Sequence, residues 1–345
     1  MTFWAGKRVL LTGHTGFKGS WAAIWLTQMG AQVTGLALAP DQIPALHDQA
    51  GVADLVTSLL VDLRDGPAVE AALKDRAFDL VLHMAAQPIV RASVEDPIGT
   101  FASNIMGTAH LLQTLRRQTT LQAILVVTSD KVYANAETGR AFVETDALGG
   151  KDPYSASKAA AEIITQSFAK SFFRDIPVAT ARGGNVIGGG DYSRDRLVAD
   201  IVRAGQSQGA AILRHPEATR PWQHVLDCVA GYLAYLQRLA EDRSTPRALN
   251  FGPRPGGPSV SVGELATRAT EALGAQPWRH EPDPNSIEAL SLGIDATLAR
   301  TVLGFESRLD APLAVDWTMD WYRQQSQGAD ALLLCRDQIS RYECL

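Results

Sequence analysis

The feature that most constrains the fold of this chain is the segment Gly13-His-Thr-Gly16-Phe-Lys-Gly19, which follows an apolar run at residues 7–12 and precedes a helix predicted at 19–29. Glycines at these positions allow a tight turn and a close approach of the backbone to a ligand. The N-terminus of the following helix offers free N–H groups and a positive dipole end to a phosphate. The order strand, glycine loop, helix predicts a dinucleotide-binding unit, and the alternative interpretation is a purely structural turn.

Further apolar runs indicate a parallel sheet. They lie at residues 33–38, 56–61, 78–83, 123–128 and 177–181, with helices predicted between them at 68–74, 98–117 and 154–173. Strands that are apolar throughout and alternate with helices are typical of a parallel sheet covered on both faces. We therefore expect an α/β fold, a Rossmann-type doubly wound parallel sheet with a smaller, partly helical C-terminal substrate domain.

A change in composition near residue 188 predicts the domain boundary. Gly and Pro become frequent there, and helices are predicted at 261–273, 295–303 and 312–326. We place an NAD-binding Rossmann domain with the catalytic residues at 1–187 and a mainly substrate-binding domain at 188–345. The part at about 223–252 is expected to return to the first domain.

Composition favours a small-molecule partner. The 32 Lys and Arg against 37 Asp and Glu give a net charge of -5, which lacks the basic character of a nucleic-acid binder. Cys228, Cys335 and Cys344 are widely scattered, which argues against a disulfide framework and a zinc site, and we expect no metal. No apolar run approaches the roughly 20 residues of a membrane span. We expect a cytoplasmic protein that binds neither nucleic acid nor membrane.

Two polar clusters are candidates for catalysis. Tyr154 and Lys158 are spaced to share one face of a helix that begins at Asp152-Pro153. A nearby ammonium is expected to lower the pKa of the phenol and make it a base near neutral pH. Ser129-Asp130-Lys131 ends an apolar strand, where ligands bind in an open α/β sheet. The alternatives are a solvated helix face and a polar exit from the strand.

Seven ordered motifs resemble a known family. They are TGHTGFKGSW at 12–21, HMAAQPIVRAS at 83–93, NIMGT at 104–108, TSDKVY at 128–133, GGKDPYSASK at 149–158, GNVIGGGDYSRDRL at 184–197 and RPWQHVLD at 220–227. This set resembles the extended short-chain dehydrogenase/reductase superfamily and, within it, the CDP-glucose 4,6-dehydratases. The similarity extends over nearly the whole chain.

The resemblance implies a three-step reaction and its catalytic residues. The sugar is oxidised at C4 with NAD+, loses water across C5 and C6, and receives the hydride back at C6. Tyr154 is then the base at the 4-hydroxyl, with Ser129 beside it, and Lys158 binds the nicotinamide ribose. Asp130 is the acid for the departing 6-hydroxyl. Lys131 stands where many such enzymes have Glu and is the expected C5 base, which requires a neutral amine.

The resemblance also implies binding residues. Those expected around the cofactor, besides Tyr154 and Lys158, are Gly13, Gly16, Phe17, Gly19, Asp62, Ala85, Ala86, Gln87, Asn104 and Thr128. Those expected around the nucleotide sugar are Arg91, Asn185, Arg196, Arg220 and His224. The resemblance implies NAD as the cofactor. No acidic residue closes the second predicted strand and no Arg replaces it there, so NADP stays open. For Asn104, hydrogen bonding to a backbone group is the alternative role.

Three alternatives stay open. A nucleotide-sugar 4-epimerase or reductase needs Tyr154 and Lys158 but no groups for elimination, so Asp130 and Lys131 argue against it. Residues 134–143 depart from the family pattern near the expected sugar pocket, which leaves open another NDP-hexose or heptose as substrate. A non-catalytic NAD(P) sensor is the third.

A homodimer formed through the helices at 98–117 and 154–173 is implied by resemblance.

Overall fold

A computed structural model describes residues 3–137, 139–254, 260–283 and 292–345. The strands are β1 (Arg8–Thr12), β2 (Gln32–Ala37), β3 (Thr57–Leu60), β4 (Leu80–His83), β5 (Ala123–Val127), β6 (Val178–Gly183), β7 (Val186–Ile187), β8 (Ala210–Leu213), β9 (Gln223–His224), β10 (Ala248–Phe251) and β11 (Gln276–His280). The helices are α1 (Phe17–Gln28), α2 (Leu46–Gln49), α3 (Val52–Leu55), α4 (Gly66–Leu73), α5 (Val90–Glu95), α6 (Pro97–Phe101), α7 (Gly107–Leu115), α8 (Pro153–Phe172), α9 (Leu197–Gln206), α10 (Val225–Glu241), α11 (Val262–Leu273), α12 (Thr297–Leu303), α13 (Ala311–Ser326) and α14 (Ala331–Glu343).

A parallel sheet forms the centre of the molecule. Within the described residues it has seven strands in the order β10-β6-β5-β4-β1-β2-β3. The direction in which successive strands are added reverses between β1 and β4. In open α/β sheets a ligand binds at such a reversal, beyond the carboxyl ends of the strands.

The interior strands bury side chains on both faces, which is why their sequences are apolar throughout. In β1, Val9 and Leu11 join the core formed with α1 and α10. Leu10 points to the opposite face and joins the core formed with α4 and α7. The expected doubly wound fold is thus confirmed.

Helix α8 places one of the two candidate clusters. It begins where the Asp152 carboxylate accepts the N–H of Ser155, with Pro153 in the first turn. The predicted helix at 98–117 is instead α6, a π-helical turn at Ala102–Met106, and α7. The sequence prediction missed the helices α2, α3, α5, α9 and α14 and the strands β7, β8, β9 and β11.

The C-terminal part of the chain is partly helical, as expected, and adds the small β8–β11 sheet. Strand β10, from the part expected to return, pairs with β6 at the edge of the central sheet. The boundary at residue 188 stays a prediction, because strand pairing alone does not define a domain.

Candidate active site

The glycine loop is built for a close ligand. Gly13 has a φ of +78°, which side-chain-bearing residues rarely adopt. A Cβ at Gly19 would lie 1.9 Å from the Gly13 carbonyl oxygen. Among the described residues no side chain caps α1 at Gly16, and the first turn of this helix holds no acidic residue. The free N–H groups and the positive end of the helix dipole can therefore receive a pyrophosphate, so the loop fits a dinucleotide.

Asn104 fixes the loop that follows β4. Its Oδ1 accepts the N–H of Gln87 at 2.8 Å, and its Nδ2 donates to the Gln87 carbonyl at 3.0 Å and to Ser157 Oγ at 2.8 Å. This is the backbone-satisfying role considered from the sequence. Ala85 and Ala86 lie in this loop, and a Cβ at Gly13 would be 2.8 Å from the Ala85 nitrogen. The loop thus lies against the glycine loop, and direct contact of its residues with the cofactor stays a prediction.

Three other predicted cofactor residues have identified partners. Asp62 follows β3 and forms an ion pair with Arg64 at 2.7 Å. The hydrogen bonds from Arg64 lower the pKa of the Asp62 carboxyl. Thr128 is buried and its hydroxyl donates to Glu162 at 2.5 Å. Phe17 is half-buried, and its ring packs close to Gly188. Their contact with an adenine or a ribose stays a prediction.

The predicted catalytic residues lie together at the carboxyl end of β5. Ser129 lies near enough to the phenol of Tyr154 to affect its pKa, and its hydroxyl donates to Asp130 Oδ1 at 3.0 Å. Lys158 is 6% exposed, and its Nζ donates to the Val127 carbonyl at 3.2 Å. One helix thus holds a phenol and an amine over the strand end that carries Asp130. This arrangement can remove a proton from a hydroxyl beside a bound dinucleotide.

The charge states in this cluster differ from the expectation. Burial raises the pKa of Tyr154, and the nearby Ser129 hydroxyl and the charge of Arg196 oppose this shift. Burial and the nearby charge of Lys18 lower the pKa of Lys158 to about 7, although the Glu162 carboxylate opposes this shift. The expectation that Lys158 lowers the phenol pKa is wrong for the ligand-free protein, because burial outweighs the attraction of neighbouring cations.

Asp130 and Lys131 form an ion pair in a short 3-10 turn, Asp130–Val132. Lys131 Nζ lies 3.0 Å from Asp130 Oδ1 and 3.3 Å from Asn185 Oδ1. Asp130 is 1% exposed, and its Oδ2 has no hydrogen-bond partner among the described residues. An unpaired buried carboxylate oxygen is costly, so this atom is the available acceptor for a substrate hydroxyl. The neutral Lys131 expected from the sequence is instead paired with a carboxylate.

Two of the predicted substrate residues lie beside these groups. Asn185 accepts from Lys131, and Arg196 is near enough to Tyr154 to affect its pKa. Arg220 precedes Pro221, whose ring lies 2.9 Å from the position of a Cβ at Gly184. The 220–222 segment therefore packs against the strand end that carries Asn185. Contact of these side chains with substrate stays a prediction.

Arg91 reaches across to the C-terminal part of the chain. Its guanidinium pairs with Asp195 and Asp283, each at 3.2 Å. A substrate diphosphate would have to compete with both carboxylates for this side chain.

His224 has a different environment from the one expected. It is 0% exposed and its ring makes edge contacts with Trp21 and Trp317. Burial lowers its pKa to about 3, and its Nδ1 accepts the N–H of Leu226 at 3.2 Å. The structure thus places His224 in the core and leaves its side chain no exposed surface for a substrate.

Sequence reasoning missed the buried pair of Glu162 and Arg182 below the site. The signal for Glu162 was its place one helical turn after Lys158. The signal for Arg182 was a charged residue continuing an apolar strand.

The predicted absence of a metal stays an expectation, although no cluster of three His, Cys, Asp or Glu side chains suited to a metal occurs in the described residues. No helix in the described part of the chain has the length and apolar character needed to span a bilayer.

We expect the stability of the ligand-free protein to rise with pH between 7 and 9, relative to Lys158→Met. The pKa of Lys158 is about 7 in the fold and about 10.4 in an unfolded chain. In this window the unfolded chain holds a proton that the folded chain has lost, so higher pH favours the fold by at most about 1.4 kcal/mol per pH unit. Denaturant titrations of both proteins measure the difference, and a difference independent of pH would contradict a depressed Lys158.

A family model and several relatives match this chain. The model described as the NAD dependent epimerase/dehydratase family matches residues 9–252. The CDP-glucose 4,6-dehydratase of Salmonella typhimurium is 38% identical over 99% of this chain and 97% of its own length. The dTDP-4-dehydro-6-deoxy-D-allose reductase of Streptomyces bikiniensis is 30% identical over 94% of this chain and 98% of its own.

A solved structure shows the same arrangement of elements. The UDP-glucose 4-epimerase of Stenotrophomonas maltophila, with bound NAD and formylated UDP-arabinopyranose, superimposes with a TM-score of 0.79 at 26% identity. The match covers 94% of this chain and all of that one (100%).

Proposed function

This chain belongs to the NAD dependent epimerase/dehydratase family, and on that premise we propose that it is a nucleotide-sugar 4,6-dehydratase that converts CDP-D-glucose to CDP-4-keto-6-deoxy-D-glucose and water. The family resemblance and the NAD cofactor expected from the sequence are both confirmed. The choice of CDP-glucose is supported by the 38% identity over 99% of the chain. The Asp130–Lys131 pair beside Tyr154 is the observation that supports elimination of water as the reaction type.

The first step is oxidation at C4. Tyr154 takes the proton of the 4-hydroxyl, with the Ser129 hydroxyl close to the phenol. Bound NAD supplies a hydride acceptor at this step and a hydride donor at the last one. Lys158, held against the Val127 carbonyl, is placed to bind the nicotinamide ribose. The ketone formed at C4 acidifies the C5–H bond.

The second step is loss of water across C5 and C6. A proton moving from Lys131 Nζ to Asp130 Oδ1, which lie 3.0 Å apart, converts the ion pair into an amine and a carboxylic acid. The amine takes the C5 proton, and the acid protonates the departing 6-hydroxyl. The C5–H and C6–O bonds break, a C5–C6 double bond forms, and the residues return to the ion pair seen in the structure. Because the pair is neutral overall in both forms, the exchange needs no net charge to enter the buried site.

In the last step C6 receives back the hydride that was taken from C4, and Lys131 returns its proton to C5, which saturates the double bond. Proton exchange with solvent then resets Tyr154 and the Asp130–Lys131 pair.

The substrate residues are part of the same proposal. Arg91, Arg196 and Arg220 supply planar guanidinium groups suited to a diphosphate, and Asn185 lies beside Lys131. His224 is buried in the core and is left out of this set.

Incubation with NAD+ and CDP-, dTDP-, UDP- or GDP-glucose tests the function. Mass spectrometry should show loss of one water from CDP-glucose alone. Loss from a different nucleotide would reassign the substrate. NAD binding without water loss from any of the four would contradict the proposal. That outcome would favour either another hexose or heptose as substrate or a non-catalytic NAD(P) sensor. A different sugar would agree with the departure of residues 134–143 from the family pattern; Thr138 in this stretch lies outside the described residues.

We also propose a cytoplasmic homodimer. Cys228, Cys335 and Cys344 are all free thiols, as in a reducing compartment. Two neighbouring helical stretches, α6–α7 and α8, expose apolar side chains: Ile98 is 74% exposed and Ile163 58%. An apolar surface of this kind favours association with a second copy.

Ile163→Asp is expected to dissociate the dimer, because a carboxylate on this surface would lose its hydration on association. Light scattering at micromolar concentration measures the mass. The matched control is Leu333→Asp, since Leu333 is 63% exposed on α14 and should leave the dimer intact. A wild-type monomer would refute the interface.

A further inference from the structure

A buried ion pair lies directly below the candidate site. Glu162 on α8 is 0% exposed and Arg182 on β6 is 2% exposed. Arg182 donates from Nε and Nη2 to the two oxygens of the Glu162 carboxylate, at 3.0 and 2.8 Å. Burial alone would lower the pKa of Arg182, but Glu162 holds it above its usual value, so the guanidinium stays charged. Desolvating two charges offsets much of their attraction, so stability alone is a weak reason for such a pair.

The pair is bonded to both ends of the segment that carries Asp130 and Lys131. At one end the Thr128 hydroxyl donates to Glu162 Oε1 at 2.5 Å. At the other end Arg182 Nη1 donates to the Tyr133 hydroxyl at 2.9 Å. We call residues 128–133 the elimination segment. Its four central residues are thus spanned by two hydrogen bonds to a single ion pair.

Tyr133 is held from other sides as well. Its hydroxyl donates to Asn250 Oδ1 at 2.6 Å, and its ring stacks on Phe142 with centroids 4.8 Å apart. Burial raises the pKa of Tyr133 to about 12 despite the opposing effect of Arg182. The hydroxyl therefore keeps its proton and both of its hydrogen bonds at neutral pH.

The Glu162 carboxylate is carried by the same helix as Tyr154 and Lys158, the residues proposed for C4 oxidation. Glu162 follows Lys158 by one turn of α8 and Tyr154 by two. A helix is rigid over two turns, so the position of Glu162 sets the distance between Tyr154 and the elimination segment.

We propose that the Glu162–Arg182 pair is a positioning clamp that holds Asp130 and Lys131 in register with Tyr154 and Lys158. This inference rests on the proposed dehydration. It assigns Glu162, Arg182, Thr128 and Tyr133 a role in the second step of the reaction without contact with substrate. Loosening the clamp should slow water loss more than C4 oxidation, because Tyr154 and Lys158 stay on α8 while the acid and base lose their placement.

Thr128→Val and Tyr133→Phe each remove one of the two hydrogen bonds and leave the ion pair intact. The matched control is Thr180→Val. The Thr180 hydroxyl donates to the same carboxylate at 2.7 Å, but Thr180 lies on β6 outside the elimination segment. We expect the kcat for water loss to fall roughly 10- to 100-fold in the first two variants, with KM and the rate of C4 oxidation close to wild type. Thr180→Val should behave as wild type, and Thr128→Ser should restore water loss.

A second readout needs no substrate. Hydrogen exchange of the peptide covering 129–133 should be faster in Thr128→Val and Tyr133→Phe than in wild type and Thr180→Val. Equal effects of Thr128→Val and Thr180→Val on both readouts would overturn the clamp. So would a Thr128→Val variant that only binds NAD more weakly and loses water normally at saturating NAD. If wild type dehydrates no nucleotide sugar, the proposed function fails, and the exchange rates still decide whether the pair holds the segment.

Discussion

Lys131→Met should oxidise CDP-glucose at C4 and then stop before water is lost. The redox groups Tyr154 and Lys158 lie on α8 and do not depend on the Lys131 side chain. The C5 proton, however, loses its acceptor, and Asp130 loses the partner 3.0 Å away that supplies its proton. General acid–base groups contribute about 10²- to 10⁴-fold, so water loss should fall by that factor. NADH absorbance should rise to a plateau of one equivalent per active site, while mass spectrometry shows no dehydrated product.

The matched control for this change is Lys151→Met. Lys151 is 68% exposed and pairs with Glu137 on the surface, so the same substitution there should leave both steps unchanged. Asp130→Asn should also accumulate NADH, because the departing hydroxyl loses its acid. Water loss at the wild-type rate in Lys131→Met would refute the role of Lys131. Absence of any NADH in Asp130→Asn would remove Asp130 from the elimination step.

The central sheet was predictable because its strands are buried on both faces. An apolar run such as β5, Ala123–Val127, has no other common explanation between two amphipathic helices. Strand β11 was not predictable, since four of its five residues are exposed and give no apolar pattern. Helix α9 does carry an amphipathic signal, with Val198, Ile201 and Val202 buried on one face, but the glycine-rich stretch before it suggested a loop.

The positions of the main catalytic candidates were predictable from two rules, the location of ligands at strand ends and the spacing of residues on a helix face. Those rules place Asp130 beyond β5 and put Tyr154 and Lys158 on one face of α8. They cannot report charge states, because the pKa values of Tyr154 and Lys158 depend on burial by distant elements. They also cannot pair Glu162 with Arg182, which meet only when α8 packs on β6. His224 shows the same limit, since its motif gives no sign that two tryptophans enclose it.

Tyr154→Phe should abolish both steps, because without oxidation the C5 proton is not acidic enough to be removed. Burial raises the pKa of Tyr154, so the phenol is protonated in the ligand-free protein near neutral pH. The rate of C4 oxidation in wild type should therefore rise with pH as more phenolate forms. In Tyr154→Phe we expect a loss of about 10²- to 10⁴-fold and no such rise. NAD binding should persist, since the glycine loop and Lys158 are untouched.

Single-turnover NADH formation across pH separates the catalytic role of Tyr154 from a packing role. Tyr235→Phe is the matched control, because Tyr235 is also buried and its hydroxyl donates to the Pro246 carbonyl at 2.6 Å, away from the site. That variant should lose about 1 kcal/mol of stability and keep the wild-type pH profile. An oxidation rate in Tyr154→Phe within tenfold of wild type would exclude Tyr154 as the base. The buried Asp130 Oδ2, which has no hydrogen-bond partner in the described part of the chain, would then be the remaining acceptor for the 4-hydroxyl proton. In that case Asp130→Asn would have to block C4 oxidation itself and not only the later loss of water.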